Sequence, residues 1–367
     1  MNIGAVLKKL RHERSMTQEQ LAEYLNVSTQ AVSKWENGLS YPDITLIPVL
    51  ASIFETSADV LLGIELEAKE KVIKEYIDRG DKYLYTGYHQ KAAEVFREGL
   101  RVYPDSYLLM NGLMTCMWKE RNLQDSKEKK CEISKEVISL GEKILSRCTD
   151  DSVRHNAIQI LCTTYPDVGE TEKAVELAKK MPSLYLTSEV LLGNIYTGTK
   201  RYETIRSTLF HLIDLLILNM TCNSAPLDDG SKPHSTEELI QIRKKVVRLL
   251  ETMFEDGNYG FYRQMLGWTY IDMAVFYARL KEYDKAIDSL RIAAEHSIKY
   301  DQEYDPNKEY TCLLFKGMKF GPVMHHIPEN ESMHQLNEMN DPAFDEIRHN
   351  KEFIKIEEKL KSYAKLR

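Results

Sequence analysis

Residues 16–38 read MTQEQLAEYLNVSTQAVSKWENG, and the order of their polar and apolar residues specifies two short helices joined by a tight turn. Thr17 with Gln20 has the form of a capping box, in which the hydroxyl takes a free amide of the first turn and the glutamine reaches back. Leu21, Ala22 and Leu25 follow at helical spacing, and Asn26 is a residue type that tolerates the left-handed backbone of a sharp turn. Ser28 is a good N-cap for the second helix, and Gly38, just after Trp35, Glu36 and Asn37, is a good stop.

On a wheel advancing by about 100° per residue, Ala31, Val32, Trp35 and Glu36 share one side of the second helix. Thr29, Gln30, Ser33 and Lys34 share the other. Two hydroxyls, an amide and an ammonium can all donate hydrogen bonds to base edges and phosphates, which suits the floor of a major groove. A helical pair with an ordinary solvated face is the plainer reading, and the surrounding pattern decides against it. From Ile3 to Gly63 the chain resembles the Cro/C1-type, or XRE, helix-turn-helix family. LKKLR, TQEQLA, VSTQAVSKWENG, YPDITLIPVLASIF and SADVLLG stand in the family's order and spacing.

That resemblance implies an N-terminal DNA-binding domain whose helix from Ser28 to Glu36 lies in the major groove of an operator. Thr29, Gln30 and Lys34 are then the base readers, with Ser28 and Ser33 at the margin. Gln18, at the start of the preceding helix, is expected to meet phosphate with help from the helix N-terminus, and Asn37 to meet phosphate as well. Arg11 and Glu36 match positions that form a structural ion pair in the family. The head is not basic: Lys8, Lys9, Arg11, Arg14 and Lys34 are outnumbered by Glu13, Glu19, Glu23, Glu36, Asp43, Glu55 and Asp59. Non-specific affinity from phosphate neutralisation should therefore be weak, and specific affinity should need two copies on one duplex, hence a homodimer.

The whole chain has 367 residues, 43% hydrophobic and 29% charged, with a net charge of -7. This is a globular composition long enough for about two or three domains. Cys116, Cys131, Cys148, Cys162, Cys222 and Cys312 form no CxxC pair and read as reduced thiols. Lys8, Lys9 and Arg11 interrupt the first apolar stretch, so the start does not read as a signal peptide. The most apolar later run, Leu209 to Met220, contains His211 and Asp214 and falls short of the roughly 20 residues of a membrane span. A cytoplasmic location without membrane contact is expected.

The fold expected is all-α: a five-helix Cro/C1-type domain over 1–64, a short helical linker over 65–72, tetratricopeptide-like repeats over 73–300, and a capping segment over 301–367. In the head, Ile3, Leu7 and Leu10 should close over Leu21, Leu25, Val32 and Trp35. A further helix after Tyr41-Pro42-Asp43 should bury Leu46, Val49, Leu50 and Ile53, and Ser57 should cap the turn ending at Gly63. From Ile73 onward, Tyr76, Gly80, Tyr83, Ala92, Phe96, Gly99 and Pro104 fall at or near the positions of a 34-residue tetratricopeptide unit. Later units are weaker: Gly112 with a long helix from about Lys127 to Cys148, then Tyr165, Ala174 and Ala178, then Gly193 and Tyr196. Past the polar stretch Thr221 to His234, Ser235 with Glu238 opens a helix carrying Val246, Leu249, Leu250 and Phe254. Another unit near Gly267 has Tyr270, Ala274, Tyr277, Ala286 and Leu290 in place. In the tail, Phe344, Ile347, Phe353, Ile356 and Leu360 suggest one or two closing helices, as a stacked array requires.

Stacked helical pairs line an inner surface with the first helix of each pair, where an extended peptide needs donors and acceptors for its backbone. Asn156, Gln159 and Asn194 stand near inward positions, with Trp268 and Arg279 as neighbours. Ordinary polar surface residues are the alternative for each. A Cro/C1-type head followed by such an array resembles the cytoplasmic peptide-pheromone receptors of Gram-positive bacteria. The resemblance implies a transcription regulator whose array dimerises and binds a peptide or protein ligand. The alternative is a DNA-bound scaffold that recruits a protein through the repeats, favoured if the groove is filled by side chains or by the chain's own tail. No phosphate loop, HExxH, GxSxG or CxxC motif suggests an enzyme, and no cofactor is implied. His325, His326 and His334 lack the spacing of a metal site.

Overall fold

The computed structural model describes residues 3–222, 227 and 229–367, with residues 64–68 described by their backbone alone. Within the polar stretch 221–234, residues 223–226 and 228 lie outside the described residues. The described chain is mostly helical, with short 3-10 turns, a non-helical stretch over 304–330, and two isolated bridges, Glu309 with Lys319 and Glu329 with Leu366. It divides into two compact units, residues 1–82 with 90–160, and residues 83–89 with 161–367.

The first unit begins with the head: α1 (Ile3–Glu13), α2 (Gln18–Leu25), α3 (Thr29–Glu36), α4 (Ile47–Ile53) and α5 (Ala58–Leu61). Ile3, Leu7, Leu21, Leu25, Val32 and Trp35 are buried in one core with Ile47, Leu50, Phe54 and Leu61, and Leu10 packs beside them. Val49, expected inside, is 43% exposed, and Ile47 is buried instead. Asp43 caps a 3-10 turn over Ile44–Leu46, and the α-helix starts at Ile47 with Pro48 in its first turn. The rest of the expected stripe faces inward: Leu50 is fully buried, and Leu46 and Ile53 pack against the core.

From Ile64 to Tyr85 the backbone is one continuous helix, α6, which includes the helical linker expected over 65–72. The first unit continues through α7 (His89–Val102), α8 (Tyr107–Asn122), α9 (Lys127–Arg147) and the start of α10 (Asp151–Thr164). Phe96 is what the small residues make room for. A Cβ at Gly80 would stand 2.5 Å from its ring, and one at Gly112 2.4 Å, so neither position has space for a side chain.

The second unit contains α11 (Thr171–Ala178), α12 (Ser188–Ile195), α13 (Gly198–Thr221), α14 (Thr236–Met253), α15 (Tyr262–Arg279) and α16 (Tyr283–Glu303), then α17 (Glu331–Glu338) and α18 (Lys351–Lys361). Ser235 and Glu238 form a complete capping box at α14. Ala274, Ala286, Leu290 and Ala293 are fully buried where α15 and α16 cross, and Gly267 lies against Ser297 and Ala293 of α16. Phe254, Tyr262, Tyr310 and Phe315 form an aromatic cluster at one end of this core, and Phe344, Ile347, Phe353, Ile356 and Leu360 close the other part. The cysteines are all unpaired thiols.

Candidate functional site

The turn between α2 and α3 is built by the chemistry its sequence offers. Thr17 Oγ1 accepts from the Gln20 amide at 3.2 Å while Gln20 Oε1 accepts from the Thr17 amide at 2.8 Å, completing the capping box. Asn26 takes the left-handed conformation, φ 53°, and ends α2. Ser28 Oγ then accepts from the Ala31 amide and starts α3. Val32, Trp35 and Glu36 are buried, Ser28, Gln30 and Lys34 are exposed, and Thr29 and Ser33 are half-buried. The outward face is therefore the one the helical wheel predicts.

A buried ionic network ties this pair of helices to α1. Arg11 Nε and Nη2 donate to the two oxygens of Glu36 at 2.6 and 2.9 Å, and Arg11 Nη1 donates to the Met16 carbonyl at 2.7 Å. Gln18, expected at phosphate, instead donates from Nε2 to Glu36 Oε2 at 2.7 Å. Its outward contribution is reduced to a backbone amide at the start of α2, because the carboxylate still has lone pairs to fill after Arg11 has bound. Asn37 Nδ2, the donor expected to meet phosphate, donates to the Ser33 carbonyl at 2.9 Å. Burial works against ionising Glu36, but the bonds from Arg11 and Gln18 outweigh it and hold the carboxyl below its ordinary 4.5. A depressed folded value means that this carboxylate's stabilisation is complete above about pH 4.5 and is lost as pH falls through the lower folded value. Acid titration of unfolding, followed by the emission of buried Trp35, should show that loss, and Glu36→Gln should flatten it.

Of the residues expected to hold a peptide, Asn156 and Gln159 belong to the first unit and Asn194, Trp268 and Arg279 to the second. Asn156 is half-buried and spends its amide inside the first unit, on Asn111 Oδ1 at 2.8 Å and Thr115 Oγ1 at 3.2 Å. It therefore works as a tie between α8 and α10. Gln159 and Asn194 are exposed, and Arg279 lies about three turns along α15 from Trp268, paired with Asp341 at 3.7 Å. Trp268 alone among them lines the large cavity of the second unit.

That cavity has a volume of about 450 Å³, within the range of ligand sites. One wall is a single face of α15 and its N-cap: Phe261, Gln264, Met265 and Trp268, at the spacing i, i+3, i+4, i+7. Asp214 and Leu218 of α13 form a second wall, and the extended segment 323–327 a third. The segment is anchored by the His325 amide on the Tyr85 carbonyl at 3.0 Å and by His89 Nε2 on the His326 carbonyl at 2.7 Å. At the floor, buried Glu331 accepts from Trp268 Nε1 at 2.9 Å and from Arg367 Nη2 at 3.1 Å. Burial pushes the Glu331 carboxyl up, and these two donors and His334 oppose it. Among the described residues no group of three His, Cys, Asp or Glu is placed to hold a metal ion. None of their helices is long and apolar enough to cross a membrane. The repeating spacing of Phe261, Gln264, Met265 and Trp268 was the available sequence signal for this wall; the contributions of Asp214 and Glu331 carry no such signal.

The fold and the outward face of α3 define the head as a Cro/C1-type helix-turn-helix domain of the XRE class, a DNA-binding module. Residues 7–61 match the helix-turn-helix family. Relatives include the HTH-type transcriptional activator BcrR of Enterococcus faecalis, 42% identical over 63 residues, covering 17% of this chain and 31% of that protein. The HTH-type transcriptional regulator ImmR of Bacillus subtilis is 33% identical over 63 residues, covering 17% of this chain and 50% of that protein. The chain thus spans half or less of the length of these curated relatives, and the likeness is confined to the head. Among solved structures, Bacillus thuringiensis PlcR in complex with the peptide PapR7 and DNA covers 80% of this chain and 94% of its own, at 15% identity and a TM-score of 0.31.

Proposed function

We propose that the protein is a sequence-specific transcription regulator that binds operator DNA as a homodimer and is controlled by a peptide or protein ligand bound in its helical-repeat region. The observation that carries the DNA half is the second helix of the turn motif, α3. It is fixed to α1 by the Arg11–Glu36 pair and presents Thr29, Gln30, Ser33 and Lys34 outward. Ser28 stands at its N-cap, the flanks offer phosphate the backbone amide of Gln18, and Asn37 would meet it by releasing its Nδ2 from the Ser33 carbonyl. The named relatives are HTH-type regulators, in keeping with this role.

Two features support the roles given to the array. Helix α13 is apolar around much of its circumference: Ile213 and Ile217 are buried, while Leu212, Leu215, Leu216 and Leu218 are 37–53% exposed. A helix apolar on several sides normally has neighbours on several sides, and an exposed cluster of this kind favours a protein contact, here the partner subunit. The cavity beside α15 favours a ligand over the scaffold alternative. The chain's own segment 323–327 forms one wall without filling the space. For a ligand to act, it must bind one dimer geometry better than another.

The test of the reading face is selection of DNA from a randomised pool by the full chain and by Gln30→Ala and Lys34→Ala. Each variant is expected to relax base preference at one position of each half-site, weakening the wild-type site by about 1–3 kcal/mol per lost base contact. Identical selected sequences from all three proteins would remove α3 from the role of reader.

A further inference from the structure

The chemistry of the cavity goes beyond its existence and rests on the reading of the second unit as a ligand sensor. Two polar groups in its walls lack partners. Gln264 is only 3% exposed, yet its side-chain amide makes no hydrogen bond to any described residue. The amide lines an open space of about 450 Å³, where its donors and acceptor are available to a bound molecule. Asp214, half-buried on α13, likewise has no hydrogen bond or ion pair among the described residues. Burial pushes its carboxyl up, with His211 one turn earlier as the opposing charge. The other carboxylate of the cavity, Glu331, is already matched by Arg367, whose guanidinium also donates to the carbonyls of Ile327 and Glu329. The carboxyl that the cavity leaves without a hydrogen bond or ion pair among the described residues is therefore that of Asp214. Much of the remaining lining is apolar, Phe261, Met265 and Trp268 among it, with His325, His326 and His334 also in the wall.

We infer that the cavity takes a short apolar peptide segment bearing an ammonium group, with the ammonium against Asp214, a backbone amide on Gln264, and a bulky side chain among Phe261, Met265 and Trp268. An amide side chain offers a donor and an acceptor together, which is what one peptide unit requires. An ammonium entering a half-buried carboxylate site replaces water with a charged partner. The ammonium can come from a peptide's N-terminus or from a lysine side chain.

Four defined peptides test this by calorimetry on the full-length protein: Leu-Phe-Leu-amide with a free N-terminus, its N-acetyl form, its N-succinyl form, and N-acetyl-Leu-Phe-Lys-amide. At least one cationic peptide is expected to bind about tenfold or more tighter than the neutral one, the succinyl form weakest of all. Which cationic peptide leads identifies the source of the ammonium. Asp214→Asn, close to isosteric, should abolish the preference, and Gln264→Met should weaken every peptide that binds while leaving the thermal midpoint unlowered. Equal binding of neutral and cationic peptides, tighter binding of the succinyl form, no binding by any of the four, or an unchanged preference in Asp214→Asn would each overturn the inference. The sensor reading fails differently: peptides bind with the expected preference but leave operator affinity unchanged.

Discussion

Arg11→Ala is expected to destabilise the head by about 3 kcal/mol and to abolish operator binding at temperatures where the wild-type protein still binds. The guanidinium is buried and makes three short bonds, two to Glu36 and one to the Met16 carbonyl. Removing it leaves the Glu36 carboxylate inside the domain with only Gln18 as a donor. A domain of this size has a small core and little stability to spare, so such a loss is a large fraction of the total. Thermal unfolding followed at Trp35, together with operator titration, measures both effects. The paired replacement Arg11→Met with Glu36→Leu should recover most of the stability, because an apolar pair of similar volume carries no desolvation cost. An alanine variant that melts with the wild type would show that the ion pair is not what fixes α3 to α1.

Ending the chain after Gly63 is the second large perturbation. The head's core is made entirely from residues between Ile3 and Leu62, so the fragment should fold. It should nevertheless bind a two-half-site operator some 10²- to 10⁴-fold more weakly than the full chain, the range by which linking two binding modules raises avidity. The surplus of Asp and Glu over Lys and Arg in the head gives little non-specific attraction to offset that loss. Titration of one labelled operator with both proteins, at a stated salt concentration, decides it. Equal affinity would mean that the region after Gly63 does not supply the second copy.

Local chemistry made the head legible from residues alone. Capping hydroxyls, a left-handed asparagine, a terminal glycine and one apolar stripe each act over four or five residues, and the structure places them where their spacing requires. Val49 is the one residue of its expected stripe that faces out, while Ile47 and Leu50 supply the buried contacts. The ligand residues are different. Asn156 has the right residue type and about the right repeat position, but its amide is satisfied by Asn111 and Thr115, forty or more residues away in the chain. Gln264 looked ordinary in sequence, and its side chain lines the cavity of the second unit with no hydrogen bond among the described residues.

The sequence by itself determined that this chain begins with a Cro/C1-type helix-turn-helix domain, that the rest is helical, and which face of α3 is free to read a groove. These properties rest on interactions between residues near each other in the chain. Only the tertiary structure decided that Gln18 turns inward to Glu36 and that a cavity forms where α13, α15 and the 323–327 segment converge. Each of these depends on partners brought together from distant parts of the sequence, where satisfying one buried polar group determines which others remain unsatisfied.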